Sequence, residues 1–314
     1  MGTLGTVRRV PVARLLARLV AQLPFRTLGT PGALLGLLAH DVLRIRRGQV
    51  HAAMARAAID DRRTARAMFR SLGQGALELL WLSGRPDIQL APHVRVDGWE
   101  RYEAARALGR GVIVATAHTG NWDLTACACA ERVAPAKLTI VTKRLRAKGL
   151  DAFWQETRRA RGIDLVTHDE GIVPAIRERL ARGHAVALLV DQDPERTTSV
   201  VAAEFLGAMA LHDALPATMS ARTGAPIVVA FARREGDDGA RHVVEVVDVL
   251  FPPPRPSAAW IAETTRLVAA HLDAFVRRDP ASWLWLHRRW KTQHHDGRPT
   301  GEHGAPVVVS AARA

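Results

Sequence analysis

Cysteine, lysine and tyrosine are scarce in this sequence: two cysteines, four lysines and one tyrosine among 314 residues. Cys127 and Cys129 stand one residue apart, a spacing that sets their side chains badly for a mutual bridge on a strand or a helix. No disulfide framework is available, and a reducing compartment is expected. Long apolar runs are missing as well. Residues 27–40 hold 14 positions without a formal charge, but as a helix they would reach about 21 Å against roughly 30 Å of bilayer hydrocarbon. Pro24 and Pro31 interrupt the segment and no small-residue cleavage pattern follows. Neither a membrane span nor a cleaved export signal is expected. Gly-x-Ser-x-Gly, Walker, Gly-x-Gly-x-x-Gly and His-Glu-x-x-His signatures are absent too, so no nucleophile elbow, metal site or cofactor is expected.

What the chain has in excess is arginine. Lys plus Arg number 44 against 31 Asp plus Glu, a net charge of +13, and such a balance draws anionic partners: lipid headgroups, an acidic protein or nucleic acid. No zinc-finger spacing and no basic region with heptads occurs, which leaves nucleic acid unsupported. With 48% apolar and 24% charged residues, the chain is an ordinary globular one, long enough for one large α/β domain.

Between Pro11 and Pro24, Leu15, Leu16, Leu19, Val20 and Leu23 fall on one helical arc, with Arg14, Arg18 and Gln22 opposite. That is an amphipathic helix. A second piece, 33–45, is apolar nearly all round and ends at Arg44, Arg46 and Arg47. Two readings stand side by side: a membrane-surface anchor with cationic flanks, or a helix pair packed on the protein's own core. Residues 51–82 read as helical, with Gly73 and Gly75 as a break. Strand-like runs then follow at 93–96, 111–117, 138–142, 163–167, 185–190, 227–232 and 243–250. Helical stretches lie between them at 100–108, 150–161, 171–182 and 213–223, and a last one at 257–278. That alternation predicts an α/β fold, a mixed and mostly parallel sheet flanked by helices, preceded by N-terminal amphipathic helices.

The chemistry sits where strand 111–117 runs into His118-Thr119-Gly120-Asn121-Trp122-Asp123. On one helix His118 and Asp123 would lie about 140° apart, so they meet only if the chain turns, and Gly120-Asn121 is turn chemistry. If they meet, Asp123 accepts from one imidazole nitrogen and leaves the other as a base. Cys127 and Cys129, in the helix that follows, read as packing residues.

These residues resemble a family. Val96-Asp97-Gly98-Trp99-Glu100, the strand with His118 through Asp123, Val190-Asp191-Gln192-Asp193, Phe205-Leu206-Gly207, Ala221 to Pro226, and Trp285-Leu286-His287-Arg288-Arg289-Trp290-Lys291 occur in the order seen in bacterial lipid A biosynthesis acyltransferases. The resemblance covers residues 50 to 292. It implies a glycerolipid acyltransferase-like fold and transfer of an acyl chain from acyl carrier protein to a hydroxyl of a lipid A precursor, without metal or acyl-enzyme. His118 is then the general base and Asp123 its orienting acid. Asp123 stands where lipid A enzymes usually carry Glu, a variation shared with phosphatidylinositol mannoside and glycerolipid acyltransferases, and these leave another glycolipid or phospholipid as acceptor.

Arg158, in an Arg-x-x-x-Gly pattern, resembles the family's arginine and is the expected oxyanion partner, with Arg159 and Arg161 as competitors. Gly120, Asn121, Asp191, Gln192 and Asp193 are expected at the substrate, the two aspartates holding that arginine or a sugar hydroxyl. His287, Arg288 and Arg289 are expected at lipid phosphates, or else as a basic surface near the C-terminus. Inner-membrane lipids and the acidic acyl carrier protein are the implied partners of the positive charge. The expected division is a membrane-associating segment at 1–50, a catalytic domain at 51–293 and a flexible tail at 294–314, on the cytoplasmic face of the inner membrane. The contrasting reading is a non-catalytic, basic peripheral membrane protein on the same scaffold.

Overall fold

The computed structural model describes residues 9–59, 61–133, 137–145, 147–167, 171–194, 199–236 and 239–291. The expected tail at 294–314 lies outside them. Helices α1 (Arg9–Val20), α2 (Gly29–Leu37), α3 (Arg47–Arg56) and α4 (Asp61–Ser83) precede the first strand, β1 (Val94–Asp97). Then come α5 (Trp99–Arg106), β2 (Val112–Thr116), α6 (Trp122–Arg132), β3 (Leu138–Thr142), α7 (Lys148–Ala160), β4 (Ile163–Thr167), α8 (Ile172–Ala181) and β5 (Ala185–Leu189). The chain continues through β6 (Val200–Phe205), β7 (Ala208–Asp213), α9 (Leu215–Thr223), β8 (Ile227–Glu235), β9 (Arg241–Leu250) and α10 (Ala258–Arg278).

Seven strands form one sheet in the order β1-β9-β8-β2-β5-β3-β4, parallel except for the β8–β9 pair. This is the α/β architecture, mixed and mostly parallel, that the alternation of runs predicts. The strands are continuous apolar runs because both faces are covered. On one face Ile113, Val186, Val229 and Phe231 pack with Met68, Phe69, Leu272 and Phe275. On the other, Val112, Val228 and Ile140 pack with Leu79, Trp81, Leu82 and Leu124. Helix α4 serves both layers and ties them together.

Two local expectations are corrected. Gly73 and Gly75 lie inside an unbroken α4, and the break falls before it, where Ala58 is left-handed at φ 53°. Gly73 instead admits a neighbour: a Cβ there would stand 2.1 Å from Gly32 O, and one on Gly36 would stand 1.9 Å from Phe69 O. Helices α2 and α4 therefore cross at backbone contact. The hairpin β6–β7 was not expected as strands. Its register pairs Phe205 with Ala208, so Leu206 and Gly207, at φ 51° and 82°, form a two-residue turn suited to the twist of paired strands.

The N-terminal segment divides by face. Ala17, Ala21, Phe25, Leu28 and Ala33 are buried against the body, whereas Leu15, Leu16, Leu19, Leu23, Leu34, Leu35, Leu38, Val42, Leu43 and Ile45 are exposed. The leucine arc read from the sequence thus points outward. No described helix is long and apolar enough to cross a membrane.

Candidate active site

Strand order decides which groups meet. Strands β2 and β5 are parallel neighbours with Thr116 opposite Leu189, so two residues further on His118 lies beside Asp191. Both stand past the carboxyl ends of their strands, the edge where open α/β sheets carry their sites. The His118 backbone N–H donates to Asp191 Oδ2 at 3.1 Å, and the imidazole Nδ1 lies 2.9 Å from Oδ1. Trp283 donates its indole N–H to Oδ2 at 3.0 Å. Asp191 is fully buried. Burial opposes its charge, yet the His118 and His287 imidazoles and the Trp283 N–H outweigh it and hold its pKa well below the carboxylate range. A carboxylate only accepts, so His118 carries a hydrogen on Nδ1, and the lone pair of its neutral form lies on Nε2.

The expected partner, Asp123, is elsewhere. It sits in the first turn of α6 and takes Arg158 from α7, with Nε to Oδ1 at 2.7 Å and NH2 to the same oxygen at 2.6 Å. Arg158 NH1 reaches Thr142 Oγ1 at 3.3 Å. The reason is positional: Asn121 caps α6 by accepting from Leu124 N, so the helix is under way by Asp123 and turns that side chain away from the strand end. Of the three competing arginines, Arg158 is the one fixed on the motif. Arg159 is exposed, and Arg161 donates to Ile88 O and pairs with Glu131. Asp191 and Asp193 do not hold Arg158, contrary to the expectation.

Gly120 and Asn121 have structural tasks. Gly120 has φ 55°, and a Cβ there would press on the Ala232 backbone at 3.0 Å. Asn121 Nδ2 donates to the buried Glu78 at 2.7 Å. Glu78 Oε1 also holds Arg234 NH1 at 2.5 Å, and its Oε2 lies 3.3 Å from His242 Nε2. Burial opposes the Glu78 charge, but His242 and Arg234 prevail and set its pKa at about 2.

The C-terminal segment braces the motif as an added strand would. Gly120 N–H donates to Ser282 O at 2.8 Å and Leu284 N–H to His118 O at 3.0 Å. It delivers His287, whose ring centroid lies 4.6 Å from that of His118, while Trp122 meets His118 edge-on at 5.1 Å. Burial pushes the His287 pKa down to about 4 against the pull of Asp191. Ligand atoms of His118, Asp191 and His287 lie within 4.8 Å of one another, a set able to hold a divalent ion, although His118 Nδ1 and Asp191 Oδ1 already engage each other.

Arg289 is corrected as a phosphate ligand: it is 1% exposed, donates to Leu211 O at 2.7 Å and contacts His212, with Asp193 at 3.9 Å. Arg288, beside it, is exposed, and Gln192 is half-buried. Cys127 is buried and Cys129 half-buried; desolvation raises their thiols to about 12 and about 11, and such thiols are poor nucleophiles. The role of Asp191 as the imidazole's partner was missed from the sequence. Its signal was there, an acidic residue closing a second apolar run.

Residues 12–292 match the family described as bacterial lipid A biosynthesis acyltransferase. Among curated proteins, the phosphatidylinositol mannoside acyltransferase of Mycolicibacterium smegmatis is 27% identical over 193 residues, 60% of each chain. That of Mycobacterium tuberculosis H37Rv is 25% identical over 206 residues, 65% of this chain and 62% of its own. These matches therefore span less than two thirds of the mycobacterial relatives. The lipid A biosynthesis lauroyltransferase of Escherichia coli K12 is 26% identical over 287 residues, 88% of this chain and 89% of its own.

Proposed function

Because the chain belongs to the bacterial lipid A biosynthesis acyltransferase family, we propose that it moves a fatty acyl chain from a thioester on acyl carrier protein to a hydroxyl of a lipid A precursor. The observation that carries this is the His118–Asp191 pair at 2.9 Å, which leaves Nε2 as a base. The acceptor hydroxyl gives its proton to Nε2 as its oxygen attacks the thioester carbonyl. The tetrahedral intermediate then expels the sulfur, which takes that proton back. A positioned base contributes on the order of 10²- to 10⁴-fold to such a step, and no protein nucleophile is required.

Asp123 and Arg158 serve as a positioning pair that fixes the helix after the motif. Gln192 and Arg288 are offered to the acceptor's polar head. The exposed leucines of α1 and α2, flanked by Arg18, Arg26, Arg44 and Arg46, seat the protein on the cytoplasmic face of an anionic inner membrane. The +13 charge favours an acidic carrier protein. A second acceptor, a glycosylated phosphatidylinositol, is favoured by the two mycobacterial relatives.

The test offers radiolabelled acyl carrier protein and acyl-coenzyme A to wild type and His118→Ala, with lipid A precursor and mannosylated phosphatidylinositol as acceptors. Label entering one lipid only when His118 is present supports the proposal and names the acceptor. Undiminished transfer by His118→Ala, or none by folded wild type, sinks it.

A further inference from the structure

A base and its orienting acid do not complete an acyl-transfer site. Negative charge develops on the thioester oxygen, and a donor must await it. Arg158 was the expected donor, but its Nε, NH1 and NH2 contact Asp123 and Thr142. The polar side chain facing the His118 ring is His287, at 4.6 Å between centroids. Its Nε2 is buried and has no hydrogen-bond partner among the described residues. A buried polar atom without a partner is uncommon and asks for an explanation. Here the orphan stands beside the base itself.

His287 also has an anchor of its own. The carbonyl of its neighbour Leu286 accepts from Gln49 Nε2 at 2.8 Å and from Arg46 NH1 at 3.1 Å. Both donors come from the start of α3, the end of the N-terminal segment. Further along, buried Arg289 ties the same stretch to β7 through Leu211 O. The chain is thus held on both sides of His287 while its Nε2 stays unengaged.

We propose that His287 donates a hydrogen bond to the reacting thioester carbonyl, and that Gln49 positions it there through the Leu286 carbonyl. The inference rests on the acyl-transfer reading of the site. No proton leaves His287: the acceptor's proton still travels to His118 Nε2 and on to the departing sulfur, while His287 stabilises the oxyanion and releases it when the carbonyl reforms.

The experiment measures thiol release from acyl-coenzyme A and from acyl carrier protein, with and without glycolipid acceptor, so that carbonyl activation is seen even with water as acceptor. Wild type is compared with His118→Ala, His287→Ala, His287→Gln, Gln49→Leu and the Gln49→Leu/His287→Ala double variant, each checked for folding by thermal melting. His287→Ala is expected to lower kcat by about 10²- to 10³-fold, the cost of one oxyanion donor, with KM for the donor nearly unchanged. His287→Gln, which restores an N–H, regains about tenfold of that. Gln49→Leu lowers kcat several-fold, and the double variant is no slower than His287→Ala alone, the mark of a residue acting through another.

A folded His287→Ala at the wild-type rate, beside a silent His118→Ala, overturns this inference and leaves the acyl-transfer reading standing. Full multiplication of the two losses in the double variant overturns the role of Gln49. Equal rates in wild type, His118→Ala and His287→Ala, or no thiol release by wild type, overturn the acyl-transfer reading and this inference with it.

Discussion

The aspartate beside His118 in space and the one beside it in sequence have different expected consequences. Asp191→Asn keeps the shape but gives Nδ1 an uncharged neighbour that forces the wrong tautomer, and kcat of the folded variant is expected to fall about 10²- to 10⁴-fold. Asp123→Ala leaves the half-buried Arg158 guanidinium without its counter-charge, so urea unfolding is expected to show a loss of about 2 kcal/mol, below the cost of breaking a fully buried pair. Full kcat in folded Asp191→Asn, with kcat lost in Asp123→Ala at unchanged stability, would return the orienting role to Asp123. Protons test the buried network as well. The Glu78 pKa is depressed from 4.5 to about 2, so its contribution is complete above pH 4.5 and is lost as pH falls towards 2. It amounts to about 3 kcal/mol. His287 is depressed from 6.5 to about 4; the unfolded chain binds its proton first, so stability declines as pH drops from 6.5 towards 4. Denaturant titrations across that range should show the His287 portion removed in His287→Gln and the Glu78 portion removed in Glu78→Gln.

Among elements, what was legible followed hydrophobic pattern. The strands ending in His118 and Asp191 are buried on both sides and announce themselves as apolar, β-branched runs. The hairpin β6–β7 is half-exposed, alanine-rich and shared between glutamate and histidine, so its period is faint. Adjacency was not legible, because no local feature of 112–116 states that 185–189 lies beside it, and the pairing of His118 with Asp191 follows from that adjacency alone. Burial of Arg289 was hidden for the same reason: its partners come from β7, across the chain. Gly73 was legible as an anomaly but not as its cause, a helix crossing that only the fold supplies. That crossing carries its own prediction. Gly36→Ala must push a methyl group to where Phe69 O now stands, so α2 is expected to lift from α4, with a loss of 1–3 kcal/mol or somewhat more by calorimetry, about the cost of overpacking. An unchanged melting temperature would show that the helices tolerate separation.

At the scale of the whole molecule, the N-terminal segment carries exposed leucines and arginines together. Replacing Leu15, Leu19, Leu34 and Leu38, which are 46–62% exposed, by serine removes apolar contact without touching the core. Flotation with vesicles containing anionic lipid is expected to fall at least tenfold while the melting temperature holds, and wild-type binding should weaken with added salt as the arginine contribution is screened. Retention by the quadruple variant would place the membrane contact elsewhere. The reacting corner, meanwhile, is sewn from distant parts of the chain: Gln49, His118, Asp191, Trp283 and Leu286. Closing loops of that length is slow, because chain entropy opposes each closure until the next contact rewards it. The sheet can therefore form before the corner does, and a refolding protein should regain its secondary structure ahead of its competence. Catalytic power in this molecule is a late-arriving property, a certificate that the first and last described segments have found each other.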